Sequence, residues 1–126
     1  MQVSAELPLR ANLSVLENIA LVPQYRDNRP TRQAEQQAWQ LLERLNRTAC
    51  AGLRDPDLDS EQRFVAKLLR VVIGRPPIIV IERPGLLLPD SHYPSRLADC
   101  LAKLEDEINT LWIVDYRWNA PLYPPI

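Results

Sequence analysis

Apolar residues recur along this chain with two different periods, and the change of period divides it. Val15, Leu16, Ile19 and Ala20 share one face behind Ser14 and Glu17, whose spacing is that of a capping box, so a short helix is expected from Val15 to Leu21. Pro30 and Thr31 open a second helix. In it Ala34, Ala38, Leu41, Leu42 and Leu45 recur at helical spacing while Arg32, Glu35, Gln36, Glu43 and Arg44 take the other face. From Asn46 to Leu58 no period holds. Asp59 and Gln62 then repeat the capping-box spacing and start a third helix through Phe64, Val65, Leu68, Leu69 and Val72 to a stop at Gly74.

Beyond Pro76-Pro77 the helical period disappears. Ile78-Ile79-Val80-Ile81 is β-branched throughout and lacks alternation, which is the pattern of a strand covered on both faces of a parallel sheet. Thr110-Leu111-Trp112-Ile113-Val114 is a second such run. Between them Leu97, Leu101, Leu104 and Ile108 mark a helix, so a parallel, right-handed βαβ unit is expected over about 37 residues. The segment from Arg117, with Trp118, Tyr123 and three prolines, is expected to be irregular, its aromatics covering an apolar edge. The fold class is α/β, in one domain spanning 1–126.

Composition narrows the functions open to such a domain. Of 126 residues, 46% are hydrophobic and 25% charged, as expected for one small globular core. Fifteen cations against sixteen anions leave a charge of -1, which provides no electrostatic attraction to nucleic acid. No apolar run is long enough to span a bilayer, and the start MQVSAELPLR lacks a signal-peptide pattern, so a cytosolic location is expected. Cys50, Cys100 and the sole histidine His92 have neither zinc-ligand nor disulfide-framework spacing, and two reduced thiols are expected. Asp55-Pro56-Asp57-Leu58-Asp59 mimics the opening of a calcium loop. However, Ser60 stands where that loop needs glycine and Ala66 where it needs its bidentate glutamate, so no metal is expected.

Four stretches, in order and spacing, resemble the second half of an ATP-binding-cassette (ABC) ATPase domain. Leu58-Asp59-Ser60-Glu61-Gln62 is similar to the signature LSGGQ, and Arg70, Gly74, Arg75 and Pro76 match the continuation of that helix. Ile78 to Pro84 resembles the Walker B stretch LLLLDEP. Asn12 to Leu21 resembles the LTVLENVAL opening of the helical subdomain, and Thr110 to Val114 the strand before the switch histidine. The resemblance implies a partial P-loop-NTPase-like core with a βαβ parallel unit and a small helical subdomain. It divides the chain into 13–58, helical-subdomain-like; 59–117, signature helix plus Walker B and switch strand; and 118–126, a tail.

The residues at the family's working positions differ from the family's. No GxxxxGK[ST] phosphate-cradling loop occurs in these 126 residues. Asp59 and Glu61 in the signature place carboxylates where the family meets a γ-phosphate. Glu82 holds the magnesium-orienting position of Walker B, but Arg83 holds that of the general base, and a guanidinium accepts no proton. Tyr116 stands at the switch-histidine position, Pro89 at the D-loop aspartate with Asp90 one residue late, and Ala5 at the glutamine before the helical subdomain, which Gln2 reaches only with a shift. The plainer reading of these residues is structural: helix caps at Asp59 and Gln62, a solvated strand end at Glu82 and Arg83, and a sheet-edge aromatic at Tyr116. The expectation is a non-catalytic, ABC-ATPase-like interaction or regulatory protein with no cofactor. It would self-associate or dock on a transporter subunit or a P-loop chain, without entering the membrane, in the cytosol or peripheral to the inner face of a membrane. The alternative is one half of a split ATPase completed by a P-loop-bearing chain.

Overall fold

The computed structural model describes residues 1–89 and 93–123, so Asp90, His92 and the end of the tail lie outside the described residues. The elements in chain order are β1 (Gln2–Val3), α1 (Val15–Arg26), α2 (Thr31–Arg44), α3 (Ser60–Val72), β2 (Ile78–Glu82), α4 (Pro84–Leu87), α5 (Tyr93–Lys103) and β3 (Thr110–Val114). Both expected capping boxes form. Ser14 accepts the Glu17 N–H at 3.1 Å, and Asp59 accepts the Gln62 N–H at 2.8 Å. Helix α1 outruns its expected end at Leu21 and carries Pro23 in its interior, which removes one N–H from the ladder. Pro23 is buried, and its carbonyl accepts the N–H groups of Asp27 and Arg29 at 3.1 and 3.2 Å, so the helix end is closed around it.

The sheet has the order β1-β2-β3, all parallel, with Ile78 to Glu82 opposite Thr110 to Val114. The short β1, which carries no periodic signal of its own, pairs Gln2 with Val80 and Val3 with Ile81. Helices α1, α2 and α3 pack on one another and α3 reaches β1, placing Ile19, Leu42, Phe64, Leu68, Leu69, Ile79 and Ile81 in one core.

The strands are not covered on both faces, contrary to the expectation from their composition. Ile79 and Ile81 are fully buried, but on the opposite face Ile78 is 37% exposed, Trp112 57% and Val114 49%. Among the described residues helices lie on one side of the sheet only, and β3 has no strand beyond it. The last helix also ends early. It stops at Lys103, and a 3-10 turn follows at Glu105–Glu107. Arg44 from α2 holds this turn, donating to the Lys103 carbonyl at 2.7 Å and pairing with Asp106, while Arg75 reaches Glu107 at 3.0 Å. The tail is not irregular either: Arg117–Leu122 forms a 3-10 helix. Two further short 3-10 turns, Thr48–Cys50 and Asp55–Asp57, fill the stretch without a period. Among the described residues no helix is long and apolar enough to cross a membrane.

Candidate functional site

The carboxyl ends of β2 and β3 bring Glu82, Arg83 and Tyr116 together. Arg83 has φ 43 and ψ 68, the left-handed region that costs a non-glycine residue about 1–2 kcal/mol. The turn is held by its own N–H, which donates to the Val114 carbonyl at 2.7 Å, and by Pro84 at the first position of α4. It leaves the Arg83 guanidinium 3.3 Å from the Glu82 carboxylate, whose other oxygen accepts the side-chain amide of Gln2. Hydrogen bonds to Tyr116 first and Glu82 second hold the Arg83 guanidinium above its ordinary value. The Tyr116 ring stacks on Trp118 with centroids 4.5 Å apart and planes 6° from parallel.

Asp115, between β3 and Tyr116, was not distinguished by the sequence, yet it organises this end of the molecule. It accepts the Tyr116 N–H at 2.7 Å, the Asn119 amide at 3.2 Å and the Tyr123 hydroxyl at 2.5 Å, and Tyr123 in turn meets the Tyr93 hydroxyl at 3.1 Å. Burial pushes the Asp115 carboxyl up, but these hydrogen bonds and nearby Arg83 outweigh it and leave the group below its ordinary value. Burial and the bond to Asp115 push the Tyr123 phenol far up. Gln2 was also legible only as a poor match. Its place beside Glu82 follows from the pairing of β1 with β2, which no local pattern announces.

The five signature positions lie elsewhere, at the start of α3. Leu58 is buried, Ser60 is exposed as the first helical residue, and Asp59 and Gln62 satisfy each other as the cap. Glu61 pairs with Arg47 and, at 3.1 Å, with Arg96. Among the described residues no hydrogen bond or ion pair links this group to Glu82, Arg83 or Tyr116, so the structure forms two separate clusters. Cys50 and Cys100 are free, and burial pushes both thiols up. No three His, Cys, Asp or Glu among the described residues form a group able to hold a metal.

An apolar groove of about 560 Å³ runs along the free edge of β3, walled by Leu97 and Leu101 of α5, Leu111 and Ile113 of β3, Ile108 and Tyr123. With the outward-facing Trp112 and Val114, it leaves both the edge and one face of the sheet without cover.

No family model matches the chain, and no curated protein matches it. Solved structures do. The dimeric structure of the ATP-binding cassette MJ0796 in a post-hydrolysis state, bound to ADP and Pi, is similar with a TM-score of 0.73 and 24% identity over 94% of this chain and 52% of that one. A second dimeric structure of MJ0796, described as a bacterial ABC transporter cassette, is similar with a TM-score of 0.73 and 23% identity, covering 97% of this chain and 54% of that one. The chain spans about half the length of the cassettes it matches, and the likeness shows its architecture to be a partial ABC ATPase fold.

Proposed function

We propose that this chain is a non-catalytic, cassette-like interaction or regulatory protein that docks on another protein chain through the uncovered side of its sheet, at the periphery of a membrane transport complex. The observation that carries this reading is the outward-facing Ile78, Trp112 and Val114 beside the apolar groove along β3, because a parallel sheet is stable when covered on both faces. Tryptophan, tyrosine and arginine, concentrated here as Trp112, Trp118, Tyr116 and Arg83, are the residue types that dominate binding energy at protein interfaces.

The residues at the nucleotide positions fit magnesium and nucleotide poorly. Glu82 at the Walker B position is already engaged by the Gln2 amide and the Arg83 guanidinium, a fixed positive charge where a divalent cation would have to sit, and the neighbouring Asp115 is taken up by Tyr116, Asn119 and Tyr123. In-line attack on a phosphoryl group needs both a positioned phosphate and a group that accepts or orients a proton, and Arg83 supplies neither. The purified chain is therefore expected to show no ATP turnover above a blank, and Arg83→Glu is expected to restore none. Turnover in either would overturn the reading. In light scattering at tens of micromolar the chain is expected to run larger than a monomer and to become monomeric in Trp112→Lys/Val114→Lys. A wild-type monomer that also fails to bind a candidate transporter subunit would remove the docking role.

The competing reading, half of an ATPase completed by a P-loop-bearing chain, draws on the half-length match to the MJ0796 cassettes. ATP turnover on mixing with such a chain, lost on Glu82→Ala, would favour it.

A further inference from the structure

A second cleft, of about 440 Å³, lies on the other side of the molecule, where the segment before α1, the outer face of α1 and the last turns of α3 meet. Arg10, Arg26 and Arg70 line it with Asn18 and Tyr25, and no acidic residue does. Arg10 stands on a backbone fixed by α1, and the guanidinium groups of Arg26 and Arg70 are held by backbone carbonyls. The amide of Asn18, itself 2% exposed, accepts the Arg10 N–H at 2.9 Å and donates to the Arg10 carbonyl at 3.2 Å, which fixes the backbone that carries Arg10. Arg26 donates to the Gly74 carbonyl at 3.1 Å. Arg70 donates to the carbonyls of Pro8 and Leu7 at 2.8 and 3.1 Å.

The acceptors of Arg26 and Arg70 are neutral carbonyls, so those two positive charges are oriented without being cancelled. Arg10 forms no ion pair among the described residues. Burial alone pulls Arg70 below its ordinary value, with no carboxylate opposing it. Lys67, one turn earlier on α3 and 4% exposed, is pulled down by burial, then by Arg70 and Arg63. Arg10 and Arg26 are exposed and Arg70 half-buried, but three cations lining one concave surface with no facing carboxylate focus a positive field that attracts an anion more strongly than scattered surface arginines do.

A guanidinium has five N–H donors in a planar fork. Arg26 spends one on Gly74 and Arg70 two on the loop carbonyls, which leaves donors on three forks that can grip a tetrahedral oxyanion from several sides. The cleft is too large for a bare phosphate, and its remaining wall is apolar: Leu21, Val22 and the Tyr25 ring, which is 78% exposed. We infer that this cleft binds a small organic phosphate monoester, the phosphate held by Arg10, Arg26 and Arg70 and the ester group lying against Leu21, Val22 and Tyr25.

This site is separate from the sheet face on which the proposed function rests, so the two can fail independently. The test is calorimetry on the full chain at low salt with phenyl phosphate, inorganic phosphate and phenol. Phenyl phosphate is expected to bind, inorganic phosphate to bind more weakly, and phenol not to bind. Arg10→Gln is expected to weaken phenyl phosphate about tenfold, the loss of one charge-assisted contact, without moving the melting temperature. Arg26→Gln is expected to weaken it similarly. Arg70→Gln also releases the loop carbonyls, so Arg10 and Arg26 carry the test. Absence of binding by either phosphate, or binding that ignores both Arg10→Gln and Arg26→Gln, would overturn the site. Phenol binding as tightly as phenyl phosphate would overturn recognition of the phosphate, and inorganic phosphate binding as tightly would overturn the role of the apolar wall.

Discussion

Replacing Lys67 by methionine removes a positive charge that α3 carries into the interior and keeps an unbranched side chain of similar length and helix propensity. Lys67 is 4% exposed, and among the described residues its ammonium donates to the Ser4 carbonyl at 3.2 Å. Losing a charge-assisted bond of this kind costs about 1.5–3 kcal/mol, at the low end here because the Ser4 carbonyl keeps the Leu7 N–H at 3.4 Å. Against that stands the burial of an ammonium beside Arg70 and Arg63, an effective penalty of about several kcal/mol. Lys67→Met is therefore expected to stabilise the fold by about 1–2 kcal/mol at pH 7, raising the melting temperature by about 3–6 °C for a chain of this size. The pH dependence separates this account from simple repacking. Burial first, then the two arginines, depress the folded-state pKa of Lys67, so the unfolded chain binds the proton more tightly. Stability contributed by this group is present above the unfolded value of about 10.4 and is lost as pH falls through the folded value, leaving the wild type penalised at neutral pH. The advantage of Lys67→Met should shrink as pH rises toward about 10.4. Thermal melts followed by circular dichroism from neutral to alkaline pH measure it. A variant less stable than wild type at pH 7, or an advantage independent of pH, would refute the reasoning.

Tyr123→Phe is expected to cost about 1 kcal/mol through loss of the bond to Asp115. Because burial and Asp115 raise the phenol's folded pKa, the stability it contributes is full below about pH 10 and lost at higher pH, so the variant should flatten the alkaline limb of the stability profile seen in urea melts. Asn18→Ala removes a buried amide bonded to the Arg10 N–H and to the carbonyls of Arg10, Leu13 and Ser14, and a loss of about 2–4 kcal/mol in urea denaturation is expected. Asp59→Ala should cost about 1 kcal/mol, recovered by Asp59→Asn, if that residue is a helix cap.

The three long helices and two of the three strands were legible because each carries a period or an unbroken apolar run. The same runs misled about cover. Ile78, Val80, Trp112 and Val114 are written for a sheet with helices on both sides, and local composition cannot register that among the described residues the helices lie on one side only. Residues 82, 83 and 116 were singled out through the order of the family-like motifs, though their meeting was not, whereas the signature positions, read both as a signature and as a cap, form a capping box. Gln2 beside Glu82, the left-handed backbone at Arg83, the Asp115 hub and the three arginines of the second cleft depend on contacts between distant segments. None of these has a local spacing that could have announced it. The 3-10 helix at 117–122 was hidden by its proline and by the absence of any apolar period.

The pairing of β1 with β2 has a kinetic consequence. Gln2 lies opposite Val80 and Val3 opposite Ile81, so residues at the very start of this sequence find their ladder partners 78 positions later. At about 5–20 residues per second of synthesis, that interval is about 4–16 seconds during which Gln2 and Val3 have no strand to join. Helices α1 and α2 lie wholly within the interval and can pack on each other first, with α3 following. Residues 1 to 3 must wait unpaired beside a growing helical cluster, whereas Asn18 of α1 can already hold the backbone of Arg10, so a ribosome-associated chaperone would find Val3 accessible during this stretch. Stalled chains ending before residue 78 should therefore expose residues 1–3 to protease, and chains long enough to free β2 from the ribosome should protect them.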